Sequence, residues 1–247
     1  MLRTFALCST IIATLFATTS IYAAEADSIS HSGSGSVTEK TLAQLPHNVV
    51  PQNYVINLVP SVDTMRIAGS ETITLHFTEF SDKIQFNSAN QKLAHVLFDG
   101  APVQTVYSNE NTQLTTIKLD TPATAGQHTL SFAFVGQMGT KLHGLFTQPD
   151  SRHRSSEGLF LTAQFEGTET HRIFPCWDDP SFAASYQLNV TVPTEWRAWS
   201  SMPTVMQDVQ GQFTTISYLK TSELRSEIVE FSNVRRLKVP ENYIGKN

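Results

Sequence analysis

The sequence predicts a mainly β protein, built as an antiparallel β-sandwich or saddle. Three observations lead there. Apolar residues recur with a period of two at Tyr54, Ile56 and Leu58, at Ile73, Leu75 and Phe77, at Leu130, Phe132 and Phe134, and at Leu188, Val190 and Val192. That period lays one side of an extended strand against a core. Turn-forming residues, among them Asp99-Gly100, Ala125-Gly126 and Gly211, separate the runs at hairpin spacings. No helical stretch of about 10 to 15 residues intervenes between the strands, as a parallel α/β sheet would require.

A chain of 247 residues that is 40% hydrophobic and 16% charged has the make-up of an ordinary folded protein, which excludes disorder throughout. The formal net charge of −5, with no block of Lys and Arg, removes the electrostatic basis for binding a nucleic-acid backbone. No nucleic-acid partner is expected.

Taken in order, residues 1–23 read as a signal peptide. Arg3 precedes the apolar run FALCSTIIATLFATTSIYA, and the small Ala23 and Ala24 lead into the acidic EADS. The run is rich in Thr and Ser and barely reaches the roughly 20 residues of a membrane-spanning helix. Cleavage near Ala23 is therefore favoured over an anchor helix, with no stable membrane span afterwards and a secreted or periplasmic location. Cys8 leaves with the leader, so Cys176 remains alone and no internal disulfide is expected. Residues 24–44 include SGSGS, carry almost no large apolar side chains, and read as a flexible linker. Residues 45–238 form the β domain, and 239–247 are a C-terminal tail. Within the domain, SELRSEIVEFSNV suits a helix through Leu224, Ile228 and Phe231 and a strand equally well.

The chemistry concentrates in AQFEGTETHRIFPCWDDPSF, residues 163–182, where Gln164, Glu166, Glu169, Asp178 and Asp179 stand among Phe165, Phe174, Cys176, Trp177 and Phe182. Strand alternation gathers Leu161, Ala163 and Phe165 on one face and Phe160, Thr162, Gln164 and Glu166 on the other. A carboxylate and an amide two residues apart on one face suit a cation that carries hydrogen-bond donors, such as an amine. Plain exposure to solvent also explains such a face. Phe174, Cys176 and Trp177 read as core, Cys176 as a small buried hydrophobe, and Arg172 is expected to brace Asp178 or Asp179.

Gln164-Phe165-Glu166, Arg172 and then Phe174-Pro175-Cys176-Trp177-Asp178-Asp179-Pro180 resemble a signature of the non-catalytic N-terminal domain of aminopeptidase N-type zinc metallopeptidases. The likeness extends to Leu45-Pro46 with Pro51 and Tyr54, to Gly69-x-Glu71-x-Ile73 and to Ser201-Met202-Pro203, in order from about residue 45 to 235. The chain departs from the family pattern at Ala163, Gly167, His171 and Asp179, where Thr, Pro, Arg and Glu are usual. The resemblance implies a β saddle packed against a thermolysin-like catalytic domain. It implies that Glu166 receives the α-ammonium group of the substrate, and that Gln164 lines the first subsite.

The zinc machinery of such enzymes is absent from these residues. None of the eight His stand four apart as H-E-x-x-H requires, and no G-x-M-E-N strand occurs. No catalytic residue, metal ligand or cofactor is expected in this chain, and zinc belongs to the missing catalytic domain. The expected partners are a peptide or amino-acid N-terminus, held weakly, and a separate or missing catalytic domain. The alternative is a secreted, non-enzymatic binding or interaction module that retained the fold.

Overall fold

Long runs of alternating side chains pair with each other early in the chain and recruit later strands to both edges. The computed structural model describes residues 44–61, 63–138, 144–149, 159–164, 169–226 and 231–235. In chain order its strands are β1 (Val49–Ser61), β2 (Arg66–Phe77), β3 (Ser81–Asn87), β4 (Gln91–Phe98), β5 (Ala101–Pro102), β6 (Thr105–Asn109), β7 (Leu114–Ala123) and β8 (Gly126–Gln137). They continue as β9 (Gly144–Pro149), β10 (Leu159–Gln164), β11 (Ser185–Pro193), β12 (Trp196–Ser200), β13 (Thr204–Gln210), β14 (Phe213–Tyr218) and β15 (Phe231–Arg235).

The largest sheet has eight strands in the order β13-β14-β11-β1-β2-β8-β4-β5. β2 pairs with β1 from Val49↔Phe77 to Ser61↔Arg66, and with β8 from Arg66↔Gln137 to Phe77↔Gly126. These registers place Tyr54, Ile56, Leu58, Ile73, Leu75, Phe77, Leu130, Phe132 and Phe134 on one buried face. The period-two expectation is met there, and Leu188, Val190 and Val192 of β11 are buried as well. The Asp99-Gly100 turn between β4 and β5 has positive φ at both residues (47° and 82°), the twist that two-residue hairpins demand. β11 lies parallel to β1, from Asn53↔Ser185 to Leu58↔Val190, the one parallel pairing of an otherwise antiparallel fold among the described residues.

Two smaller sheets, β12-β15-β10-β9 and β3-β7-β6, complete the architecture. Phe86 of β3 stacks on Phe132 of β8 with ring centroids 5.7 Å apart and planes at 5°, and Trp177 leans on Phe86 at 5.4 Å. The three-stranded sheet thus closes over the inner face of the large one. Each such aromatic buried from water contributes about 1.5–3 kcal/mol. The end of SELRSEIVEFSNV is strand: Phe231–Arg235 runs between β10 and β12. The segments read as signal peptide, most of the linker and C-terminal tail lie outside the described residues. No helix among the described residues is long and apolar enough to cross a membrane.

Candidate functional site

β10 is an interior strand, paired with β9 from Leu159↔Pro149 to Gln164↔Gly144 and with β15 at Phe160↔Val234 to Thr162↔Ser232. Gln164 is its last residue, opposite Gly144. Glu166 lies two positions on, outside the described residues.

The chain becomes described again at Glu169 and forms a short 3₁₀ turn, Thr170–Arg172, followed by a corner fastened at many points. Cys176 and Asn87 exchange both backbone hydrogen bonds (2.8 and 3.0 Å), which joins the corner to the end of β3. The Trp177 N–H donates to Tyr54 Oη (3.2 Å), and the Asp178 N–H donates to Asn87 Oδ1 (3.2 Å). Phe174, Cys176 and Trp177 are buried as expected, and Ile173 is buried with them. Burial pushes the Cys176 thiol well above its usual range, reinforced by the negative charge of Asp178 and by Glu71, so it is a poor nucleophile.

At the centre of the corner is a buried His–Asp hydrogen-bonded pair. His171 Nδ1 lies 2.6 Å from Asp178 Oδ2, and both side chains are only 1% exposed. The same oxygen accepts from the His171 backbone N–H (3.2 Å), while Oδ1 accepts from Ser226 Oγ (2.7 Å). His171 Nε2 meets Gln113 Oε1 at 3.1 Å. That amide serves the ring in either state: it accepts from an imidazolium, or, turned over, donates to the neutral ring. Gln113 itself has φ 54°, a left-handed conformation uncommon outside Gly, and its carbonyl is held by the Ser88 N–H (3.0 Å).

The expectation that Arg172 braces the acidic pair is overturned. Its Nε faces Glu169 Oε1 at 3.4 Å, three residues back on the 3₁₀ turn, close enough for charge attraction without an aligned hydrogen bond. Asp179 is held instead by Ser181, whose N–H and hydroxyl both reach Oδ1 (2.8 and 2.7 Å). The Ser181 hydroxyl draws the Asp179 carboxyl below its usual range, against some desolvation and with help from the Ser181 N–H and His47. His47 stacks on Phe182 at 4.6 Å.

His171 stands out in the sequence only as a departure at an arginine position. Gln113 and Ser226 lie 58 and 48 residues from their partners, and neither carries a local signal. Among the described residues no group of three or more His, Cys, Asp or Glu is placed to hold a metal ion. The corner is fastened to β1 through Tyr54, to the end of β3 through Asn87 and to Gln113 and Ser226.

A family model described as the peptidase M1 N-terminal domain matches residues 50–226. The chain is 30% identical to an aminopeptidase N of Acetobacter pasteurianus, across 70% of this chain and 49% of that protein. It is 28% identical to aminopeptidase M1-A of Oryza sativa subsp. japonica (76% of this chain, 22% of the relative), and 23% identical to a puromycin-sensitive aminopeptidase of Caenorhabditis elegans (76% and 21%). The chain thus spans about half the length of the bacterial relative and about a fifth of the other two.

Proposed function

Since the chain belongs to the peptidase M1 N-terminal domain family, we propose that it supplies the amine anchor of an aminopeptidase N-type exopeptidase site, with Glu166 receiving the substrate α-ammonium and Gln164 lining the first subsite. The observation that supports this reading is the chain order around the motif: Gln164 ends the interior strand β10, and the described chain resumes at Glu169, where the pinned corner begins.

An anchor of this kind measures distance. A carboxylate fixed relative to the scissile bond admits one residue between the free amine and the point of attack, so single residues are released. The contact is a charge-assisted hydrogen bond, roughly twice as strong as a neutral one. It attracts ground state and transition state alike, so it selects the substrate without speeding its cleavage.

The residues of this chain do not fit a zinc site: the sequence contains no H-E-x-x-H, and no metal-holding cluster exists among the described residues. Water activation is therefore assigned to a catalytic domain outside these 247 residues, in the same longer protein or in a separate one. Export to the periplasm or the exterior is part of the same proposal and rests on residues 1–23 alone.

An NMR titration tests the anchor. Leucine amide should shift backbone signals around Gln164 with a dissociation constant of about a millimolar or weaker. N-acetyl-leucine amide should not, and Glu166→Gln should abolish the response. Equal shifts from the acetylated compound, or an unchanged response in the variant, would overturn the anchor role and favour a non-enzymatic module.

A further inference from the structure

Glu71 sits in the middle of β2, between Ile56 of β1 and Phe132 of β8. Both neighbours are core residues, and Glu71 itself is 1% exposed. Neither of its carboxyl oxygens has a hydrogen-bond partner in the protein. A carboxylate cannot remain there unpaired, because removing its hydration without a counter-charge is far more costly than holding a proton.

Among the described residues, the surroundings offer no counter-charge. The titratable groups near enough to interact with Glu71 are Tyr54 of β1, Tyr186 of β11 and Cys176 of the corner, all acids and none a cation. β8 contributes Phe132 opposite Glu71, which does not titrate. The buried His171–Asp178 pair of the corner is already closed on itself and on Ser226 and Gln113.

We propose that Glu71 is a proton-binding site built into the fold: the native domain carries it as the neutral acid and keeps that proton as the medium turns from acid to neutral, while the unfolded chain gives its proton up, so the domain loses stability as pH rises. Burial holds the Glu71 carboxyl well above the usual carboxylate range. Between the unfolded-state value of about 4.3 and the raised folded-state value, the native chain therefore binds one proton more than the unfolded chain. Stability is highest in acid and falls as pH rises through that window.

Other shifted groups act elsewhere on the pH scale. Asp179 is drawn down, so its contribution changes only below about pH 4. Desolvation lowers His128, but its hydrogen bonds to Asp99 (2.7 Å) and the Thr124 carbonyl (3.0 Å) together with the Asp99 charge outweigh it, so it is raised, and its contribution is lost only above about pH 6.5. Between about pH 5 and 6.5 the comparison of the parent with Glu71→Gln isolates Glu71, because every other titratable group is common to the two proteins.

Urea unfolding of the full chain across that interval is the test. The unfolding equilibrium constant should rise about tenfold per pH unit in the parent protein, and stay nearly level in Glu71→Gln, which keeps the shape without the proton. Equal slopes in the two proteins would overturn the proposal. Should Glu71→Gln fail to fold, infrared spectroscopy of the parent decides. A protonated-carboxyl C=O band that persists at pH 7 supports the proposal, and its absence refutes it.

Discussion

Asp178 gathers three donors: the His171 ring and backbone N–H on Oδ2, and the Ser226 hydroxyl on Oδ1. A carboxyl so supplied is stable in the interior, but only while its ring partner remains. Replacing His171 with Ala leaves a buried acid without its ring partner, for which about 3–5 kcal/mol is the usual cost. Arg172→Ala removes a partly exposed, poorly aligned pair and should cost no more than about 1 kcal/mol. Urea denaturation of the two variants checks the contrast; equal losses would show that the corner does not depend on the His171–Asp178 pair. The residue scale also shows where reading by spacing went astray. Arg172 was assigned to the nearest acids downstream, yet the 3₁₀ turn carries it back to Glu169 and leaves Asp178 to His171. The identities of the core residues Phe174, Cys176 and Trp177 were legible, because apolar side chains need only the absence of water, whereas a charged one needs a particular partner.

β2 illustrates the element scale. It is covered on both edges, and Gly69 is the point of closest approach: an added Cβ would lie 2.5 Å from Phe134 Cζ and 2.7 Å from the carbonyl oxygen of Asn57. The backbone oxygen cannot turn aside as a side chain can. Gly69→Ala should therefore destabilise the domain by about 1–3 kcal/mol through overpacking, measured as a lowered thermal midpoint. An unchanged midpoint would mean that β1 and β2 can separate freely there. Alternation foretold which face of β1, β2, β8 and β11 is buried, because each lies within a sheet with a core on one side. It says nothing about an edge. β13 is exposed along all seven residues, with Val205, Met206 and Val209 each more than half exposed. Its bulge between Thr204 and Met206 interrupts the ladder, a feature that hinders edge-to-edge pairing.

Among the described residues the large sheet and the three-stranded sheet share one buried cluster that runs from Leu45 to Tyr218, and Trp196 and Ala198 of β12 pack against it. Among the described residues no group of three or more His, Cys, Asp or Glu is placed to hold a metal ion. The full chain is expected to retain no stoichiometric zinc after dialysis and to release no product from an aminoacyl-anilide, even with zinc added. The reason is that a metal-activated water and a carbonyl polariser are both required for attack on the amide. Metal analysis and a colorimetric assay of the homogeneous chain check this, and chelator-sensitive release abolished by Glu166→Ala would contradict it.

By itself the sequence determined the class of fold, the faces of its principal strands, and the family through motifs spread from Leu45 to Asp179 and on to Pro203. These are properties of local periodicity and residue order, which the chain carries before it folds. Tertiary structure alone decided that β11 returns parallel to β1, that the last residues of SELRSEIVEFSNV extend as a strand, and that Gln113 and Ser226 complete the corner. It also decided that Glu71 is enclosed without a partner. Glu71 reads locally as one polar residue in an alternating strand. Only the strands on either side and the corner beyond set the dielectric around it, and that determines whether a carboxyl holds its proton.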